Sequence, residues 1–254
     1  MNIIRLKEGE IAFVEAGIGE PILYIHGLGA AGTEDFPYFF SHLPGFRHIA
    51  PDLFGYGCSA KDSKLYDFKH QAQALASLIV SLGINKINVI GHSMGGTIAL
   101  ELYRQFPELI KSLILCESFI QKGTGLFSRA IMAIGSLEKF EKEYAGWVQS
   151  FAPTHESSLA DSQFFKTLNL ADPAALYFSS HQLVKDMPFE PDFIHKVEVP
   201  LLWVVGEKSW NAVTGKKMRA LNISVAEVKD AGHGMILDQP EHFAKIVKDF
   251  LGKI

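Results

Sequence analysis

The segment INVIGHSMGG, residues 87–96, decides the fold of this chain. It joins a short β-branched and apolar run, a serine with glycine two positions away on either side, and the start of a helix-forming segment. In this strand–turn–helix setting, the G-x-S-x-G spacing predicts a tight bend that holds Ser93 upright at the carboxyl end of a strand. Gly91 and Gly95 are expected there because a Cβ at either position would collide within the bend. The helix that follows directs the positive end of its dipole at Ser93, which favours negative charge developing there.

A second segment supports the first, because a G-x-S-x-G match alone is common in glycine-rich loops. Residues 22–29 read ILYIHGLG, another buried-strand pattern that ends in a glycine-rich turn. Such a turn can aim backbone N–H groups at one point, where they bind the oxyanion of an acyl-transfer intermediate. Leu28 and Met94 are the predicted donors, through their backbone N–H groups. The alternative for residues 22–29 is an ordinary strand-to-helix turn.

Two more segments complete an ordered set of motifs. Residues 49–59 (IAPDLFGYGCS) contain Asp-x-x-Gly-x-Gly-x-Ser, and residues 228–234 (VKDAGHG) carry a late Gly-His pair. Together with the early His-Gly pair and the G-x-S-x-G bend, this order resembles the α/β-hydrolase superfamily. The resemblance implies that His233, one of ten histidines, is the general base that takes the proton of Ser93. We interpret Asp52 as an organiser of its loop and not as a catalyst.

The acid of the implied triad departs from the common pattern. The resemblance implies an aspartate shortly after the predicted strand at residues 200–206, but Ser209 stands at that position. A hydroxyl cannot stabilise an imidazolium as a carboxylate does, and losing the acid costs orders of magnitude in rate. Glu117 follows the apolar run at residues 112–116 and is the predicted acid, because a charged residue closing an apolar strand is costly unless it is paired. Its place is similar to that of the acid glutamate in some haloalkane dehalogenases and in the zearalenone lactone hydrolase.

Alternatives to this acid stay open at the level of sequence. Glu117 would also serve as the partner of a lysine or as a cap for the next segment. Glu207 is the rival carboxylate, although it lies two residues before the expected position. If neither glutamate acts, the site is degraded. The likeness to dehalogenases ends at topology, since those enzymes attack with aspartate and this bend holds serine.

Composition sets bounds on the class of protein. The 254 residues are 48% hydrophobic and 20% charged, which suits one large domain or a domain with an insertion. The formal net charge is −4 and the basic residues are not clustered, so no nucleic-acid partner is expected. The two cysteines, Cys58 and Cys116, lie inside the motifs and predict no dependence on disulfides, which fits a cytoplasmic protein. No signal-peptide pattern and no membrane span are apparent, so no membrane association is expected.

Strands and helices alternate along the chain, which predicts an α/β fold built on an eight-stranded, mostly parallel, doubly wound sheet. Residues 1–118 and 196–254 form the predicted hydrolase core. Residues 119–195 break the alternation and are rich in aromatic side chains, and the resemblance implies that they form a helical cap over the site. Predicted strands lie near residues 3–7, 10–16, 22–26, 48–52, 87–91, 112–117, 201–206 and 224–230, and predicted helices near residues 34–43, 68–82, 94–106, 212–221 and 240–252. Asp67 is the predicted N-cap of the second helix, and Pro240 is predicted in the first turn of the last.

An apolar roof over an acyl-transfer site excludes water and favours apolar substrates. The predicted function is therefore that of a serine hydrolase that cleaves a small-molecule substrate, a neutral and hydrophobic carboxylic ester or lactone, through an acyl-enzyme. Phe36, Phe119 and Trp210 are candidate pocket residues, with plain packing as the alternative. No cofactor and no metal are expected, and the chain is expected to be a monomer or a homodimer. A carbon–carbon bond hydrolase, an amidase, an acyltransferase, a cofactor-free lyase or peroxidase, or a weakly catalytic ligand-binding protein are the other functions left open.

Overall fold

A computed structural model of the chain describes residues 1–123, 125–209, 216 and 218–254. Its centre is one eight-stranded sheet, and this confirms the predicted fold class. The strands are β1 (Asn2–Arg5), β2 (Glu10–Ala16), β3 (Glu20–Ile25), β4 (Phe46–Pro51), β5 (Ile87–His92), β6 (Ile110–Cys116), β7 (Leu201–Gly206) and β8 (Ser224–Val228).

The strand order in the sheet is β1-β2-β4-β3-β5-β6-β7-β8. β2 pairs antiparallel with β1 and with β4, and all other neighbouring strands are parallel. The parallel strands therefore end at one edge of the sheet, the carboxyl edge, where open α/β sheets place their ligand-binding loops. β6 ends at Cys116, so Glu117 lies one residue beyond the strand and at this edge.

Helices cover both faces of the sheet. None of those among the described residues combines the length and apolar character needed to cross a bilayer. The described α-helices are α1 (Gly32–Asp35), α2 (Pro37–Phe40), α3 (Phe68–Ser81), α4 (Met94–Gln105), α5 (Leu126–Ala133), α6 (Leu137–Gln149), α7 (Leu159–Leu168), α8 (Pro173–Lys185), α9 (Met235–Asp238) and α10 (Pro240–Leu251), and short 3₁₀ helices lie at Ser63–Leu65, Pro107–Leu109 and Pro191–Lys196.

One predicted helix is wrong in its extent. Residues 34–43 were expected to form a single helix, but the chain forms the two short helices α1 and α2, and α2 ends at Phe40. The break falls at Pro37, which opens α2 because it has no N–H to donate to a preceding turn. The predicted helix near residues 212–221 falls largely outside the described residues.

Two predicted helix starts are confirmed. The side chain of Asp67 caps α3 by accepting a hydrogen bond from the His70 N–H at 2.9 Å. Pro240 occupies the first turn of α10, where its missing N–H costs no hydrogen bond. Both helices pack along the sheet, so these caps help to fix the layers on either face.

The core consists of two apolar layers, one on each face of the sheet. Successive side chains of a strand point to opposite faces. In β3, Ile22 and Tyr24 belong to the layer under α2 and α10, whereas Leu23 and Ile25 belong to the layer that faces α3 and α4. All four side chains are fully buried, so the central strands are held rigidly between the layers and fix the positions of the loops at the carboxyl edge.

Helices α5 to α8 lie in the segment between β6 and β7, residues 119–195, which we call the helical insertion. Its described residues contain no strand. Two tyrosines of the core attach to it through hydrogen bonds. The Tyr56 hydroxyl lies 3.0 Å from Ser179 Oγ, and the Tyr66 hydroxyl donates to the Asp172 carboxylate at 2.6 Å. These bonds hold α8 against the core near the carboxyl edge.

Candidate active site

Ser93 occupies the bend between β5 and α4 and has a strained backbone, with φ 53° and ψ −119°. A non-glycine residue pays about 1–3 kcal/mol for such a conformation, and strain of this kind clusters at functional sites. The Ser93 N–H donates to the Cys116 carbonyl oxygen at 2.8 Å, which ties the bend to β6. Its side chain makes no capping bond to α4. The hydroxyl is therefore not used to hold the helix in place.

The two glycines of the bend are required by close backbone approach. A Cβ on Gly95 would lie 2.1 Å from the Ile25 carbonyl oxygen, and a Cβ on Gly91 would lie 2.6 Å from the Gly96 Cα. Neither backbone neighbour can move without distorting β3 or α4. The steric interpretation of both glycines is confirmed.

Glu117 and His233 meet at the carboxyl edge although 116 residues separate them. The Glu117 side chain is fully buried, its Oε1 accepts the Gly206 N–H at 2.9 Å, and its Oε2 accepts the Ser209 hydroxyl at 2.6 Å. The same Oε2 lies 2.7 Å from His233 Nδ1. Since a carboxylate can only accept, Nδ1 carries the proton of this bond, and Nε2 is left as the basic nitrogen of the ring.

The charge of Glu117 is maintained by its donors. Burial alone raises the pKa of the Glu117 carboxyl, but the hydrogen bonds and charge of His233, with the bonds from Ser209 and Gly206, outweigh burial and lower the pKa overall. Within the described part of the chain, Glu117 pairs with His233 and with no lysine. The carboxylate is thus held ionised where it can stabilise a positive imidazole.

The segment after β7 contributes Ser209, a residue that sequence reasoning treated only as a missing acid. Its buried hydroxyl donates to the Glu117 carboxylate. Glu207, the rival carboxylate, is exposed and accepts the Asp230 N–H at 2.9 Å. It is Glu117, and not Glu207, that His233 Nδ1 contacts. No motif reveals this arrangement, because it depends on two loops that are distant in sequence.

His92 connects the bend to the loop that carries His233. Its Nε2 lies 2.8 Å from the His233 carbonyl oxygen, and the two rings are 4.7 Å apart between centroids. A carbonyl oxygen can only accept, so Nε2 carries a proton. Burial, followed by the neighbouring His233, lowers the pKa of His92 to about 4 and keeps the ring neutral. This bond fixes the backbone of His233.

The glycine turn after β3 lies beside Ser93, since a Cβ on Gly27 would approach Ser93 Cβ to 3.3 Å. His26 braces the turn. Its Nε2 accepts the Leu53 N–H at 3.0 Å, so its Nδ1 donates to the Gly27 carbonyl oxygen at 2.8 Å. Burial lowers the pKa of His26 to about 4, which keeps the ring neutral in this arrangement.

The two predicted oxyanion donors are the backbone N–H groups of Leu28 and Met94. Among the described residues, no backbone hydrogen bond is donated by the Leu28 or Met94 N–H. Met94 is the first residue of α4, where helix geometry leaves an N–H without an internal partner. Met94 directly follows Ser93 in the chain, and Leu28 lines the same cavity as Ser93.

A cavity of about 340 Å³ lies over this constellation. Ser93, His233 and Leu28 line it from the core, and Phe127, Phe164 and Leu183 are among the residues that line it from the helical insertion. Apolar side chains dominate its wall, and no lysine or arginine is found among its described lining residues. A cavity of this size and character suits a small, mostly apolar molecule.

The candidate pocket residues have different outcomes. Phe36 and Phe119 both line the cavity, and their role as substrate contacts stays a prediction. Both are also almost completely buried and take part in the apolar core. Trp210 lies outside the described residues.

Asp35 is a cavity residue that no sequence motif marks. It ends α1, and its Oδ2 accepts a single long hydrogen bond from the Ala31 N–H at 3.4 Å. Burial is the main cause that raises the pKa of Asp35 to about 7, and the charges of Asp52 and Glu34 add to it. The Ala31 N–H opposes this rise. In the sequence, an acid followed by Phe36 and Pro37 looks like an ordinary helix turn, and only the fold places it on the cavity wall.

Replacing Asp35 with asparagine is expected to raise the melting temperature more at alkaline than at acidic pH. The folded-state pKa of about 7 lies above the ordinary value of 3.8, so the folded chain holds this proton more tightly than the unfolded chain does. The stability that the proton provides is complete below about pH 4 and is lost as the pH rises to about 7. Asparagine does not ionise and so avoids this loss of stability. Each kcal/mol of unfolding free energy regained raises the melting temperature by about 2–4 °C. Thermal melts at about pH 5 and about pH 8.5 measure the difference, and an equal gain at both would contradict it.

A family model described as the alpha/beta hydrolase fold matches residues 20–212. The chain belongs to the α/β-hydrolase fold family. This α/β-hydrolase is similar to the 2-hydroxy-6-oxo-6-(2'-aminophenyl)hexa-2,4-dienoic acid hydrolase of Metapseudomonas resinovorans, with 26% identity over 262 residues, 96% of this chain and 88% of the relative. Membership of the family agrees with the motifs in the order in which the sequence presents them.

Solved structures show the same fold. An esterase from Exiguobacterium antarcticum superposes with a TM-score of 0.78 at 23% identity, covering 98% of both chains. The N-acyl homoserine lactonase AidH in complex with N-butanoyl homoserine gives a TM-score of 0.78 at 22% identity, covering 98% of this chain and 95% of that one. At such identities the likeness concerns the fold of this α/β-hydrolase and not its substrate.

Proposed function

We propose that this α/β-hydrolase is a serine hydrolase that cleaves a small, neutral and hydrophobic carboxylic ester or lactone. The observation that carries the proposal is the 2.7 Å contact between Glu117 Oε2 and His233 Nδ1, on the wall of a cavity that also contains Ser93. An oriented base, a buried acid and a strained serine are the three groups that acyl transfer through an acyl-enzyme requires.

The mechanism follows from the protonation states. His233 Nε2 takes the proton of the Ser93 hydroxyl as its oxygen attacks the substrate carbonyl, and Glu117 stabilises the positive ring. The free N–H groups of Leu28 and Met94 bind the oxyanion. The ring then gives its proton to the departing alkoxide, so the carbon–oxygen bond breaks and an acyl-serine remains. Water, deprotonated by the same nitrogen, attacks the acyl group and frees Ser93.

The helical insertion acts as the cap in this proposal. Phe127, Phe164 and Leu183 come from α5, α7 and α8 and close the cavity over Ser93 with apolar surface. Exclusion of water strengthens the electrostatic interactions of the triad and favours an apolar acyl or alcohol group. The cap would therefore determine substrate shape, whereas the core supplies the chemistry.

Neutral substrates are favoured by the charges around the cavity. His26 and His92 are kept neutral by their lowered pKa values, and His233 already pairs with Glu117. With no lysine or arginine among the described lining residues, a substrate carboxylate has no cation to bind. The relative from Metapseudomonas resinovorans is named as a hydrolase of a dienoic acid. Carbon–carbon bond hydrolysis is therefore the second candidate function. It ranks below hydrolysis of a neutral ester, because the cavity offers no lysine or arginine among its described lining residues to bind an acidic substrate.

A fluorophosphonate probe and a small substrate panel test the proposal. We expect the probe to label Ser93, identified by mass spectrometry of the labelled peptide, because only an activated serine reacts with it. Neutral aryl and alkyl esters and a lactone should be hydrolysed faster than esters that carry a free carboxylate. Turnover of a vinylogous diketone alone would support the carbon–carbon bond hydrolase instead. Silence of the probe together with no turnover would indicate a ligand-binding protein.

A further inference from the structure

Asp35 is a cavity carboxyl that the serine mechanism does not use. Its Oδ2 accepts the Ala31 N–H at 3.4 Å, which is long for a hydrogen bond to a charged acceptor. Lys166, the cation on the neighbouring helix α7, is bonded to Glu34 instead, with Nζ 2.5 Å from Oε2. A carboxyl on an apolar cavity wall with one weak donor has unused hydrogen-bonding capacity.

Gln163, from the helical insertion, lies close to Asp35 and carries a second polar group whose hydrogen-bonding capacity is not filled. It is 4% exposed, and its side-chain nitrogen Nε2 has no hydrogen-bond partner among the described residues. Its amide is nevertheless close enough to Asp35 to oppose the rise in the pKa of that carboxyl. The next residue, Phe164, packs on the glycine turn, where a Cβ on Gly29 would approach its ring to 2.9 Å. Two polar groups, one from the core and one from the helical insertion, therefore converge beside the cavity without satisfying each other.

We propose that Asp35, supported by Gln163, determines substrate specificity by accepting a hydrogen bond from an O–H or N–H group on the substrate, apart from the scissile carbonyl. The inference rests on the proposed function and names its substrate class: small apolar esters that carry a hydroxyl or an N–H donor. Above about pH 7 the Asp35 carboxyl is ionised, so the capacity that remains is that of an acceptor.

The physical reason for selectivity is the cost of an unpaired polar group. A substrate with a donor completes the hydrogen bonds of Asp35, whereas an apolar analogue of the same size removes water and leaves the carboxyl unpaired. Sites built to hydrogen-bond a substrate group discriminate strongly against the analogue that lacks it. An otherwise apolar cavity would, without Asp35, prefer the analogue.

The test compares methyl phenylacetates that carry either a hydroxyl or a methyl group at the 2-, 3- or 4-position of the ring. Hydroxyl and methyl are similar in size, and the three positions sample different directions within the cavity. For the best position, kcat/KM of the hydroxyl ester should exceed that of the methyl ester by about 10-fold or more. In the Asp35→Leu variant this ratio should fall to one or below, and Asp35→Asn, which keeps a neutral acceptor of the same shape, should give an intermediate ratio.

The double variant Glu34→Gln/Lys166→Gln is the matched control, since it removes the neighbouring ion pair as a whole and neither member lines the cavity. It should keep the wild-type ratio, and an equal loss in both variants would overturn the proposal by assigning the effect to the general field. Wild-type enzyme that hydrolyses these esters with no preference for hydroxyl at any position would refute the role of Asp35 and leave the proposed function standing. Failure of the wild type to hydrolyse any ester or to react with the fluorophosphonate probe would remove the proposed function, and this inference with it.

Discussion

Replacing Ser93 with alanine is expected to reduce ester hydrolysis to the background rate and to abolish labelling by a fluorophosphonate. Among the described residues, Ser93 is the hydroxyl that stands on the strained bend and lines the cavity together with Leu28 and His233. Removing the nucleophile of a triad costs about 10⁶-fold in kcat in a well-studied serine protease. Hydrolysis of p-nitrophenyl acetate and mass spectrometry of the labelled protein measure both effects.

The matched control is Ser128→Ala, which removes the other serine hydroxyl on the described cavity wall. The Ser128 hydroxyl donates to the Gly125 carbonyl oxygen at 3.2 Å at the start of α5 and takes no part in the proton relay. This variant should still react with the probe at Ser93. Both variants should melt as cooperatively as the wild type, since the Ser93 side chain makes no capping bond to α4. Residual turnover by Ser93→Ala above background would mean that another group attacks the substrate.

The fold and half of the site are readable from local sequence. Ser93 and His233 lie in short motifs flanked by glycines. A tight bend requires glycine because a Cβ would collide with nearby backbone, so the bend can be recognised from a few neighbouring residues. The same applies to the sheet, whose strands are apolar runs bounded by turns. The error at residues 34–43 has a local cause too, since Pro37 interrupts the helix.

The rest of the site depends on contacts between distant segments. The sequence could name Glu117 as the acid but could not show that Ser209, 92 residues away, supports its carboxylate. Nor could it place Asp35 and Gln163 side by side, because that pairing depends on how α7 of the helical insertion docks on α1. Docking geometry is determined by the packing of many side chains, and no short pattern encodes it.

Replacing Glu117 with glutamine is expected to lower kcat by about 10³–10⁴-fold while the fold persists. Glutamine keeps the size of the side chain and one acceptor oxygen, which can still receive the Gly206 N–H. It presents an NH₂ group toward His233 Nδ1, however, and two donors cannot pair. The ring is then driven toward the tautomer with the proton on Nε2, which cannot accept the proton of Ser93. Steady-state kinetics on a neutral ester should show the loss in kcat and little change in KM.

Two further variants locate the acid. Glu207→Gln should have a small effect, because that side chain is exposed and bonds to the Asp230 N–H and not to His233. The double variant Glu117→Gln/Ser209→Asp should be about 10-fold or more active than Glu117→Gln. Ser209 Oγ lies 2.6 Å from Glu117 Oε2, the atom that contacts His233, so an aspartate at position 209 would carry a carboxylate close to the same place. Ser209→Asp alone should be impaired, since two carboxylates side by side cannot both remain ionised in a buried site. Full activity of Glu117→Gln, or a larger loss in Glu207→Gln, would show that the acid is not Glu117, and the 2.7 Å contact to His233 would then have only a structural role.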